Sequence, residues 1–174
     1  MNRVMISIGL AAWLAAAAWP QASLKRDFSA DAASVDALIK SFYEALSFME
    51  GTSPDLERFR NLFASGAAPC SRTTPGAVLT TDLEGFIANL TGRIRTGTVK
   101  SLVESEIGRS TQAFGDIVQV FSAYRKALNG VSPDQAVRGV NALQVVRRDG
   151  RWRIASIAWE DESPGRTIPP EYLK

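Results

Sequence analysis

Two glutamates, Glu104 and Glu106, stand two apart in a stretch that alternates apolar and polar residues, so both fall on one face of a strand together with Leu102. A carboxyl held in an apolar pocket is harder to ionise and can serve as a general base or acid, and two neighbours push each other's titrations apart. Alternation by itself favours the opposite arrangement, with Val103, Ser105 and Ile107 inward and the glutamates in water. Tyr43 follows Phe42 in a helical stretch, and Tyr124 lies in register with Ser122 on a later strand. Each tyrosine could donate its hydroxyl proton to a ligand carbonyl, although a core tyrosine bonded to a backbone carbonyl is the commoner case. Asn141 and Gln144 point to opposite faces of their strand, and whichever faces inward needs a hydrogen-bond partner. The chain has no histidine and a single cysteine, Cys70. That excludes an internal disulfide, a His–Cys nucleophile and a His/Cys transition-metal cluster. No glycine-rich phosphate loop precedes a helix, and no cofactor is implied.

These side chains need elements to hold them. Ser34 is placed to cap a helix whose Val35, Leu38, Ile39, Phe42 and Leu46 form one apolar stripe, ended by Gly51. Ser53-Pro54 predicts the start of a second helix, with Leu56, Phe59, Leu62 and Phe63 buried. Residues 66–76 read as a loop, with one short strand near Val78–Thr80. Thr81 and Glu84 fit a capping box opening a third helix that carries Leu83, Phe86, Ile87, Leu90 and Ile94. The period then changes to two. Residues 100–110, 116–128, 136–148 and 151–160 predict four long strands, the last two joined by an Asp149-Gly150 hairpin. Trp152 and Trp159, seven apart, are expected on opposite faces. Helices followed by a mostly antiparallel sheet make an α+β domain, curled around the first helix.

The carrying segments are Phe42–Ser47, Asp55–Phe63, Val103–Ile107, Phe114–Tyr124, Arg138–Gln144, Trp152–Trp159 and Ile168–Leu173. In order and spacing they resemble the nuclear transport factor 2-like (SnoaL-like) superfamily, over residues 34–173. The resemblance implies a cone-shaped, cystatin-like curved antiparallel sheet around N-terminal helices, with a pocket inside. Enzymes of that fold often use an Asp base paired with His or Tyr, and relatives frequently carry His where Gln119 stands. The superfamily hosts many functions, so activity does not follow from the fold. As pocket candidates we single out Tyr43, Glu104, Gln119, Phe121, Asn141 and Trp159.

The remaining bounds concern location and partners. Of 174 residues, Lys and Arg number 20 and Asp and Glu 18, scattered without a basic face, which argues against nucleic acid as a partner. Arg3, the apolar run Val4–Trp19 and the small residues after it read as a signal peptide over residues 1–22. Export to the periplasm or medium follows, without membrane attachment after cleavage. Residues 23–33 read as a polar lead into the domain at 34–174. An aromatic left on the outer sheet face predicts a homodimer through that face, or else cover by the tail Ile168–Leu173. The sequence thus predicts an exported domain binding a small apolar or amphipathic molecule in its cone. The alternatives are an isomerase- or dehydratase-like enzyme using a pocket glutamate and a protein-interaction module.

Overall fold

The computed structural model describes residues 26–174. The expected signal peptide lies outside them. Three helices and six strands form one layer against another. Helix α1 (Val35–Leu46) is capped by Ser34, whose Oγ accepts the Ala37 N–H at 3.0 Å, and it buries Leu38, Ile39, Phe42 and Leu46. Helix α2 (Leu56–Asn61) starts later than expected. Asp55 rather than Ser53 caps it, accepting from the Arg58 N–H at 3.1 Å. Helix α3 (Leu83–Arg95) is likewise capped by Asp82, which takes the Gly85 N–H at 2.7 Å. The capping box at Thr81 does not form, because Thr81 is still paired to Cys70 in the sheet and Glu84 is drawn to Arg60 at 2.8 Å. The polar lead before α1 is pinned down by the Asp31–Arg58 ion pair at 2.8 Å.

The strands are β1 (Pro69–Thr74), β2 (Ala77–Asp82), β3 (Leu102–Phe114), β4 (Ile117–Leu128), β5 (Val137–Arg148) and β6 (Arg151–Asp161). They form one curved sheet in the order β2-β1-β6-β5-β4-β3, antiparallel throughout except where β1 runs parallel to β6. The four long strands stand where the period-two reading puts them. Asp149 and Gly150 both take positive φ, 51° and 74°, as a tight two-residue hairpin requires. Residues 69–74, read as loop, are instead a strand. Its Ser71-Arg72-Thr73-Thr74 run carries no apolar alternation, and it is held by pairing with Ile157–Glu160.

Two β-bulges decide which side chains face the helices. Ile107 is the extra residue where β3 passes β4, and Ala155 is the extra residue where β6 passes β5. Each bulge flips the facing of everything beyond it. Trp152 and Trp159 therefore both pack against the same core, correcting the expectation of opposite faces. The inner face, covered by α1 and α3, carries Val118, Val120, Tyr124, Leu143, Val145, Ile154 and Ile157. On the outer face a short turn, Pro170–Leu173, lies over β3 and β4, with the Tyr172 ring stacked on Phe121 at 5.1 Å. The tail is thus a cover for part of that face.

Candidate functional site

The site is a row of polar side chains across an otherwise apolar inner face. Tyr43 projects from the buried side of α1 and meets Ser122, on β4, at 2.6 Å. Ser122 donates its one hydroxyl proton to Glu106 Oε1 at 2.7 Å. Glu106 is an ion-pair partner of Arg109 at 2.8 Å, and Arg109 also reaches Asp36 at 2.8 Å. Because the Ser122 proton is committed to a carboxylate, Tyr43 must be the donor in its bond to Ser122. Asn141, on β5, closes the row from the other side. Its Nδ2 donates to the Tyr43 hydroxyl at 3.2 Å and to Glu104 Oε1 at 3.3 Å. Ser122 and Asn141 are 0% and 3% exposed, so the row is desolvated and each bond is needed to offset that cost.

Beside the row lies a second cluster. Asp161 at the end of β6 accepts from the Tyr124 hydroxyl at 2.5 Å and from Lys126 Nζ at 2.6 Å, with Arg72 at 3.7 Å. Burial works against its ionisation, but the bonds from Lys126 and Tyr124 outweigh that and hold it below the usual carboxylate range. Tyr124 can lie flat in this corner because its cross-strand partner is Gly139. A Cβ there would sit 2.4 Å from the Tyr124 hydroxyl oxygen.

Glu104 belongs to both clusters. Although the residue keeps some exposure, its carboxyl is desolvated, and burial pushes its pKa up to about 7. Lys126 and the Asn141 bond oppose that rise, and Asp161 adds to it. Burial likewise raises Tyr43, far from any physiological titration.

The six sequence candidates divide. Asn141 donates to both Tyr43 and Glu104, and Trp159 is the register neighbour of Asn141, edge-on to Phe86 at 5.7 Å. Gln119 and Phe121 are not with them. They share a strand with the inward Val118 and Val120 but take the alternate positions, so they belong to the outer face. Glu104 and Glu106 face inward and Val103 is 43% exposed, the reverse of what alternation favours. Leu102, buried on the same face as both glutamates, is the signal that could have decided this. Tyr43 also differs from the commoner case, since its proton goes to the Ser122 hydroxyl and not to a backbone carbonyl. Arg109, Lys126 and Asp161 went unread. Arg109 joins Glu106 only because the Ile107 bulge turns it inward.

Two surface grooves of about 550 and 410 Å³ lie elsewhere, one beside Arg26, Glu57 and Arg151 and one along α3, and none of the six candidates lines either. Among the described residues no cluster of His, Cys, Asp or Glu is arranged to hold a metal, and no helix is long and apolar enough to cross a membrane.

No family model and no curated protein matches the sequence. Solved structures do. An NTF-2-like protein of unknown function from Silicibacter pomeroyi is 21% identical with a TM-score of 0.52, covering 75% of this chain and 94% of its own. A cystatin-like protein from Caulobacter vibrioides is 17% identical with a TM-score of 0.56, covering 79% and 92%. Another cystatin-like protein, from Nostoc punctiforme, is 14% identical with a TM-score of 0.54, covering 74% and 88%. At these identities the likeness speaks to architecture, and with the curved six-stranded sheet wrapped on its helices it establishes that the chain has the nuclear transport factor 2-like, cystatin-like fold.

Proposed function

We propose that this chain is an exported domain that binds a small amphipathic molecule against the inner face of its sheet, at the Glu104 end of the polar row. The observation that carries this reading is the row itself. Burying Asn141, Ser122 and Tyr43 among apolar side chains costs more than an apolar core would, and a ligand site is the natural reason to keep them. Glu104, Lys126 and Val137 form one cross-strand row, and Val137 is 40% exposed. Polar anchors and open apolar surface therefore adjoin, which suits a ligand with a polar head and an apolar body. Export rests on the basic start and apolar run of residues 1–22. A homodimer would use the part of the outer face that the tail leaves bare.

The test is native mass spectrometry of the mature protein, purified gently from its own cell envelope. Extra mass released on denaturation supports binding. Protein that never carries or takes up a small molecule removes the reading.

A second reading, proton transfer by Glu104, is favoured by its carboxyl titrating near 7, where a general base works best. A measured Glu104 pKa near 4.5, by carboxyl-carbon NMR, would sink it.

A further inference from the structure

The binding reading leaves open what the ligand's polar end is, and the direction of the hydrogen bonds bears on it. Every hydroxyl and amide proton in the row is already committed. Tyr43 gives its proton to Ser122, Ser122 gives its proton to Glu106, and the Asn141 amide serves both Tyr43 and Glu104. In the adjoining cluster Tyr124 and Lys126 both donate to Asp161. A ligand carbonyl or carboxylate arriving here would find no hydroxyl free to donate.

Acceptors are a different matter. Three acids stand on this face of the sheet, and two of them have ion-pair partners. Glu106 is paired with Arg109, and Asp161 with Lys126 and Arg72. Glu104 forms no ion pair among the described residues, although its carboxyl is desolvated and Lys126 acts on it from across the strand pair. An isolated carboxylate in such a place is costly until a cation joins it.

Resting on the binding reading above, we propose that the ligand carries a protonated amine, and that the Glu104 carboxylate is its counter-ion. The ammonium group supplies the hydrogen-bond donors and the charge that the row lacks, and its apolar body lies along the exposed Val137. Lys126 does not fill the role, since its ammonium is held by Asp161 at 2.6 Å.

The test uses three probes of one length: hexylamine, hexanol and hexanoate. Their affinities are measured by NMR titration of the mature protein, following the Asn141 side-chain amide. Hexylamine is expected to bind about tenfold or more tighter than the other two, as charge-assisted hydrogen bonding allows. Glu104→Gln should erase that preference, bringing the hexylamine affinity down to that of hexanol. Hexanol or hexanoate binding as well as hexylamine overturns the amine assignment but leaves the binding reading standing. So does a hexylamine preference that survives Glu104→Gln, which would remove Glu104 as counter-ion. Failure of all three probes to bind would bring down the binding reading and this inference with it.

Discussion

Glu104 makes the protein's stability depend on pH in an unusual direction. Its folded pKa is raised to about 7 from an ordinary 4.5, so between those values the folded state holds a proton the unfolded state has released. Below about pH 4.5 Glu104 costs nothing. As pH rises through 7 stability falls, by up to about 3 kcal/mol for a shift of this size. Asp31, held below its usual range by the Arg58 bond, and Asp161 work the other way, their contributions being lost as acid protonates them. We therefore expect greatest stability near pH 5, and Glu104→Gln should flatten the decline between pH 5 and 8 in urea denaturation. A wild-type stability that rises over that interval would contradict the assignment. Ser122→Ala is expected to cost about 1–3 kcal/mol at any pH, because it strands the Tyr43 hydroxyl and one Glu106 oxygen in a dry place. A loss under about half a kcal/mol would mean water replaces the serine.

The strands were legible and their facing was not. Long alternating runs give β3 to β6 directly, and α1 declares itself through its stripe and its Ser34 cap. What alternation cannot report is a bulge. One extra residue, Ile107 or Ala155, reverses the facing of all that follows, so Arg109 turns inward and Trp152 joins Trp159 on the inner face. β1 was missed because its polar residues are stabilised by a strand far along the chain. The glycines that let elements touch were equally silent. Gly139→Ala should push on the Tyr124 hydroxyl and the Glu160 carbonyl, both 2.4 Å from the added carbon, and cost about 1–3 kcal/mol or more. Gly108→Ala should lift the tail, whose Tyr172 carbonyl stands 2.5 Å from the same kind of addition. Hydrogen exchange at the Tyr172 amide, which bonds the Pro169 carbonyl at 2.9 Å, would then speed up. Unchanged protection there would show that the tail holds itself.

At the scale of the whole molecule, the parallel β1–β6 pairing has a consequence for the chain as it is made. Thr73 bonds to Glu160, 87 positions further along the chain. The β1–β2 hairpin leaves the ribosome early, and although α3 packs on it soon after, its β1 edge has no strand to pair with until β6 is synthesised. Meanwhile β2 shows Val78 and Leu79, which remain 68% and 71% exposed even after folding. Such an edge is a template for pairing with another chain. Val78→Lys should therefore raise the yield of refolding at high concentration while leaving the melting temperature of the folded protein nearly unchanged. Until β6 pairs with it the β1 edge is open as well, and a chaperone that shields residues 69–82 would cover both edges of the hairpin during that interval.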